Sequence, residues 1–214
     1  MDEIKIGRRF FMTITWLGHS CFLLESNGFR VLLDPYHNVR GLPDIETEAD
    51  AVYCSHDHFD HGYTEKVHLT SGKENPFTVS AVETFHDDQG GTLRGRNTVR
   101  RFTAEGLTVV HMGDLGHALS PQQAEAIGPC DVVLVPVGGY YTVDAAGAKA
   151  AAEAVGARVI VPMHYRKGGM GFDELTTVED FVKLFPAEQV RCYPGNVLTV
   201  EKDMPHHVAV LTLA

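Results

Sequence analysis

Ser55-His56-Asp57-His58-Phe59-Asp60-His61 places three imidazoles and two carboxylates in six consecutive positions, directly after the apolar run from Ala51 to Ser55. A solvated loop has no reason to concentrate them so. Histidine and aspartate together suit zinc, manganese or iron(II), whereas a thiolate-rich set points to structural zinc. In a loop leaving a strand, alternate side chains diverge toward different points. His56 and His58 can therefore face one ion while Asp60 and His61 turn toward a second.

Three later sites repeat the theme, each close behind an apolar run: His86 in Thr84-Phe85-His86-Asp87, Asp114 in Gly113-Asp114-Leu115-Gly116-His117, and His164 in Pro162-Met163-His164-Tyr165. Any one alone reads as a loop or core residue; together they extend the ligand set. Asp34 ends an apolar strand before Pro35 and suits either a turn cap or an acceptor for the N–H of a metal-bound imidazole. His19 and His117 each follow a glycine, and as functional groups they would protonate a leaving group or grip substrate oxygen. Arg94, Arg96, Arg100 and Arg101 form a basic run in an acidic chain. It reads as solvated surface, with anion recognition near His86 as the functional alternative. Trp16, Tyr140 and Tyr141 read as core or pocket wall, and Gly138-Gly139 and Gly168-Gly169 as loop geometry.

The elements that must position these residues can be read from hydropathy and turn chemistry. Phe10 to Trp16, Ser20 to Glu25 and Phe29 to Leu33 predict an antiparallel meander, the last two joined by the turn signal Ser26-Asn27-Gly28. Further strands are expected at Ala51–Ser55, Thr78–Ala81, Thr98–Thr103, Leu107–Met112, Val132–Val137 and Arg158–Met163, several of them β-branched runs suited to burial on both faces. Ser120-Pro121 opens a helix ending near Gly128, and Asp144 caps one over Ala145–Val155. A third helix, Thr177–Leu184, carries Asp180 where a capping box would place its acidic residue. The alternation after Leu107 predicts helices layered on a sheet, a mixed α/β fold in a single domain spanning residues 1–214.

Composition narrows the partners. The 214 residues are 44% hydrophobic and 21% charged, as in a globular chain able to bury a core. With 28 acidic against 18 basic side chains the formal charge is −10, a field that repels phosphate backbones, so nucleic acid is not an expected partner. Cys21, Cys54, Cys130 and Cys192 lie far apart without a Cys-x-x-Cys pair. They read as free thiols of a reducing compartment. The charged N-terminus does not open a signal peptide and no apolar stretch reaches membrane-span length, so a cytoplasmic protein with no membrane partner is expected. Twelve histidines remain as the compositional anomaly.

The order His56-x-His58-x-Asp60-His61, His86, Asp114, His164 resembles the metallo-β-lactamase superfamily over nearly the whole chain. The flanking pieces Trp16-Leu17-Gly18-His19-Ser20, Leu33-Asp34-Pro35, Pro136-Val137-Gly138-Gly139 and Pro162-Met163-His164-Tyr165 look like one branch of it. That branch holds small metal-dependent hydrolases related to ascorbate-6-phosphate lactonase and N-acylphosphatidylethanolamine phospholipase D. The resemblance implies a four-layer αβ/βα sandwich with two mixed sheets facing each other. It also implies a ligand set: His56, His58 and His86 on a first metal, Asp60, His61 and His164 on a second, and Asp114 bridging. Zinc is the first choice, with manganese and iron next. The expected activity is hydrolysis of an ester, lactone or phosphodiester of a small substrate, anionic ones included, by a bridging hydroxide that Asp60 helps orient, with His117 or His19 as proton donor. A homo-oligomer is compatible with this reading. The alternative is a metal-binding redox or sensor protein of the same fold.

Overall fold

The computed structural model describes residues 12–213. The expected strand residues Phe10 and Phe11 and the charged N-terminal segment lie outside them. The described residues open with β1 (Met12–Gly18), β2 (Cys21–Ser26), β3 (Phe29–Leu33), β4 (Thr47–Ala49), β5 (Ala51–Tyr53) and β6 (Val67–Leu69). The middle holds β7 (Thr78–Phe85), β8 (Arg96–Ala104), β9 (Leu107–His111), α1 (Pro121–Ile127) and β10 (Val132–Pro136). It closes with α2 (Ala145–Ala154), β11 (Val159–Met163), α3 (Val178–Val182), β12 (Val190–Cys192), β13 (Val197–Val200) and β14 (His207–Val210).

Among the described residues two mixed sheets result. A five-stranded sheet has the order β13-β1-β2-β3-β5 and a seven-stranded sheet the order β12-β14-β11-β10-β9-β8-β7, with β4 and β6 paired apart. The predicted meander is present, Ile14 opposite Leu24 and Leu24 opposite Val31. Period-two alternation divides each strand between two environments. Phe22, Leu24, Val31 and Leu33 join one core with Phe102, Val109, Val133 and Val161 of the larger sheet, whereas Cys21 and Leu32 point the other way, to Tyr36, Val39 and Ile45. The strands β9, β10 and β11 are buried throughout, as their β-branched runs predict.

Helices α1 and α2 pack on the seven-stranded sheet, and α3 packs on α2. The outer face of the five-stranded sheet is covered by the chain between β3 and β5 and by the β4–β6 pair, and Pro35, Asn38, Gly41 and Pro43 punctuate the first of these against a helix. Helix α1 starts with a capping box between Ser120 and Gln123, and Asp144 caps α2 through the Gly147 amide. The box expected on α3 does not form, since Thr177 makes no side-chain cap bond and the helix runs only from Val178 to Val182.

Strand direction decides where the chemistry gathers. Because β1 and β3 both run antiparallel to β2, and β5 parallel to β3, their C-terminal ends share one edge of the smaller sheet. By the same reasoning β7, β9, β10 and β11 end together on the larger one. His19 follows β1, Asp34 follows β3, the 55–61 segment follows β5, His86 follows β7, Asp114 lies just past β9 and His164 follows β11.

Candidate metal centre

The Asp114 carboxylate stands at the meeting point of these strand ends. Its Oδ2 lies 3.1 Å from His86 Nε2 and 3.2 Å from His164 Nε2, and its Oδ1 lies 3.2 Å from His61 Nε2. Three groups of donors surround it, each within the span a metal ion bridges: His56, His58 and His86; His19, Asp60, His61 and His164; and His56, His61 and Asp114. All seven metal-ligating candidates are thus brought into one cluster.

A chain of hydrogen bonds orients the imidazoles. Asp34 Oδ1 accepts from the Ser55 amide at 2.7 Å, and its Oδ2 accepts from Ser55 Oγ at 2.6 Å and His61 Nδ1 at 2.7 Å. With its proton given to Asp34, Ser55 Oγ accepts from His56 Nδ1 at 2.9 Å. His86 Nδ1 donates to the Tyr141 carbonyl at 3.1 Å. Each ring is thereby fixed in the tautomer that presents a bare Nε2 inward. Ser55 and Asn97 are the residues that sequence reading missed. Asn97 accepts from the Asp114 amide at 2.9 Å and donates to Thr84 Oγ1 and Met112 O, tying the Asp114 loop to two strands. Neither has a distinctive sequence neighbourhood.

Backbone strain sharpens the turns. His19, Asp34 and His164 each have positive φ, at 50°, 45° and 54°, and each is the first residue after its strand. Non-glycine residues rarely adopt this region, and such outliers gather where surrounding structure dictates the geometry of a site. Gly113 is needed for the Asp114 turn: its φ is 55°, and a Cβ there would overlap Asn97 Oδ1 and the Ser55 side chain.

The donor set fits a divalent cation. His56 Nε2, His61 Nε2 and Asp114 Oδ1 are all buried without a hydrogen-bond partner, a costly arrangement unless something electrophilic lies among them. Burial would raise Asp114, but His164 and His61 outweigh it and hold the carboxyl well below its ordinary range. Asp60 is likewise lowered by His61 and His19 against the effect of burial. Burial, aided by His61, pushes His56 down to about 3. His61 goes the other way: burial lowers it, but Asp114 and Asp60 prevail and raise it well above the usual value.

The remaining sequence candidates separate. His19 is buried, with Nε2 3.2 Å from Asp60 Oδ2, and burial followed by the nearby His164 pushes it down to about 4. It stands behind Asp60 and is absent from the cavity wall. His117 is not brought to the cluster. Its Nε2 accepts from the Phe85 amide at 3.1 Å and its Nδ1 donates to the Ala118 carbonyl at 2.8 Å, so both ring nitrogens serve the backbone. His111 is also structural, accepting from the Gly113 amide and donating to the Ser20 carbonyl. Trp16 lies in the core.

A cavity of about 570 Å³ opens onto the cluster, lined by His58, Asp60, His86, Asp114 and His164 and also by Asp57, Phe59, Arg94, Tyr141 and Phe172. Among the described residues no helix is long and apolar enough to cross a membrane. All four cysteines are free.

Known proteins resemble this chain in sequence and fold. A family model described as a β-lactamase superfamily domain matches residues 13–164. A UPF0173 protein of Pyrococcus furiosus is 31% identical over 187 residues, covering 72% of this chain and 83% of that protein. A UPF0173 metal-dependent hydrolase of Archaeoglobus fulgidus is 32% identical over 196 residues, with 72% and 83% covered. A crystal structure from Thermotoga maritima, whose name proposes a zinc-dependent hydrolase of the metallo-β-lactamase superfamily, superposes with TM-score 0.76 at 38% identity, covering 95% of this chain and 100% of that one. A metallohydrolase from Ignicoccus hospitalis shares the fold at TM-score 0.66 and 22% identity, covering 89% of this chain and 99% of that one. The two face-to-face mixed sheets and the His/Asp cluster at their shared edge thus have the expected setting, and the chain belongs to the UPF0173 metal-dependent hydrolases of the metallo-β-lactamase superfamily.

Proposed function

We propose that the cluster holds two divalent metal ions, zinc in the first instance, and hydrolyses a small ester, lactone or phosphodiester. The observation that carries this reading is the position of Asp114, whose Oδ2 faces both His86 and His164, one donor from each group, while its Oδ1 faces His61. His56, His58 and His86 would hold one ion, Asp60, His61 and His164 the other, and Asp114 would touch both. The absence of a cysteine from these groups favours a catalytic over a structural site. When bound, such ions supply Lewis acidity and lower the pKa of a coordinated water from 15.7 toward ~7.

The chain's own residues do the rest. Asp34 and Ser55 hold His61 and His56 in the required tautomer. Asp60, kept ionised by His61 and His19, lines the cavity, placed to accept a hydrogen bond from the attacking water, while His19 steadies its carboxylate from behind. Phe59, Tyr141 and Phe172 exclude bulk water from the bound substrate. His117 takes no part, since the backbone uses both its nitrogens.

The test is metal analysis of protein purified without added metal and after zinc, manganese or iron loading, followed by a panel of lactone, phosphodiester and thioester substrates. Two metal equivalents with zinc-restored hydrolysis of at least one class are expected. One equivalent would overturn the two-ion reading. Iron with no hydrolysis across the panel would favour a redox or sensor protein.

A further inference from the structure

The four arginines of the basic run have different fates. Arg100 donates to the Cys54 carbonyl and lies over the Tyr53 ring. Arg101 donates to the carbonyls of Ile127 and Pro129, and Arg96 lies 3.7 Å from Glu83. Arg94 alone lines the cavity over the metal cluster. Among the described residues no carboxylate lies within ion-pair distance of its guanidinium, and its one protein neighbour of note is the Tyr141 ring, 5.7 Å from Cζ.

That position is built. The Asp87 carboxylate accepts from four backbone amides, Gln89 at 2.9 Å, Gly91 at 2.8 Å, Leu93 at 3.0 Å and Arg94 at 2.7 Å, and so folds the loop that presents Arg94. Asp87 is the neighbour of His86, and His86 in turn holds the Tyr141 carbonyl. The His86 amide also donates to the Gly95 carbonyl. Arg94 and Tyr141 are therefore both anchored to one candidate metal ligand, at a fixed offset from the reacting centre.

We propose that Arg94, backed by Tyr141, is the anion-recognition group of the cavity, and that the substrate is an ester or lactone bearing a carboxylate or phosphate on a partly apolar body. The inference rests on the hydrolase reading and names its substrate class. An unpaired guanidinium on an aromatic face offers its donor fork to a planar or tetrahedral oxyanion. Phe59 and Phe172 also line the cavity, the Phe172 ring 6.2 Å from that of Tyr141, and Leu93 and Tyr140 extend exposed apolar surface beside Arg94 and Tyr141. They accommodate carbon, not charge.

The probes are mono-4-nitrophenyl succinate and 4-nitrophenyl butyrate, which share a leaving group and differ in a distal carboxylate. Zinc-loaded wild type should prefer the succinate. Arg94→Gln should cut the ratio of kcat/KM for succinate over butyrate by roughly 10–100-fold, the worth of a charge-assisted hydrogen bond, and Arg94→Lys by less. An unchanged ratio in Arg94→Gln, or a wild-type preference for butyrate, would overturn the proposal. If neither ester is cleaved, the hydrolase reading is at fault, and calorimetry still decides the anion site. Benzoate and phenyl phosphate should bind metal-loaded wild type at least ~10-fold more tightly than Arg94→Gln, the tighter of the two identifying the anion. Equal affinities would rule Arg94 out.

Discussion

Asp34 and His56 are joined through a single hydroxyl: Ser55 Oγ donates to Asp34 Oδ2 at 2.6 Å and accepts from His56 Nδ1 at 2.9 Å. Since His61 Nδ1 donates to the same Asp34 oxygen, one buried carboxylate orients an imidazole in each half of the cluster. Burial pulls Asp34 upward, but His111 and His61 prevail and keep it ionised, as this double role requires.

Replacing Asp34 with Asn should weaken both halves together. Asn offers one acceptor oxygen where Ser55 and His61 bring three donors, so an amide NH₂ must face another N–H or O–H. Metal affinity or turnover should fall by roughly 10–100-fold, the usual range for a lost partner of a metal-bound histidine. Unchanged metal titration in Asp34→Asn would reduce the residue to a turn.

Asp114→Ala and His58→Ala should both fold and both lose metal, Asp114→Ala the more completely because its carboxylate faces both donor groups. His58 is exposed and holds up no packing, while the apolar core between the sheets does not involve Asp114. Plasma emission analysis gives the stoichiometry and circular dichroism the fold. Full metal retention in both variants would break the ligand assignment.

His117→Ala should cost stability and spare chemistry. It removes two hydrogen bonds to backbone groups of Phe85 and Ala118, worth about 0.5–1.5 kcal/mol each, so a lower Tm at unchanged metal content is expected. Turnover within about 3-fold of wild type is consistent with that placement, compared with the ~100-fold or greater loss expected of a general acid. A loss of that size, shrinking on substrates with acidic leaving groups, would return His117 to the mechanism.

The metal-free protein should lose stability as pH rises above neutral. His61 is raised in the folded state, so its contribution is full below its unfolded pKa of ~6.5 and disappears as pH climbs through the folded value. Asp60 and Asp114 are lowered, so theirs is present above ~3.9 and vanishes only as pH falls through their folded values. Metal must displace the His61 proton, so its affinity rises with pH over the window where stability of the metal-free form falls. The difference in Tm between zinc-loaded and chelator-treated protein should widen from pH 6 to pH 9; a narrowing gap would show that His61 is not a ligand.

Much of this was legible in the chain. The 55–61 segment, His86, Asp114 and His164 declare themselves because hydropathy marks where strands stop, and polar residues packed against a stop must serve the sheet edge. The antiparallel meander and the buried β9, β10 and β11 follow from alternation and β-branching, which are local. The alternation after Leu107 calls for a strand beyond the third helix, but the bounds of the short strands β12, β13 and β14 are not legible: three or four residues carry too little periodicity, and pairing with β1, β11 and one another is what makes them strands.

Other distinctions exist only in three dimensions. His111, His117 and His164 look alike in sequence, each within a few residues of a strand end. One ties the Gly113 turn to Ser20, one braces Phe85 and one faces Asp114, because the direction of a side chain after a strand depends on the local φ and on what the neighbouring strand presents. The left-handed turns at His19, Asp34 and His164 are imposed by the packed sheets, not by those residues' own preferences. Arg94 differs from Arg96, Arg100 and Arg101 for the same reason: charge is a property of the residue, whereas being left unpaired in a cavity is a property of the fold.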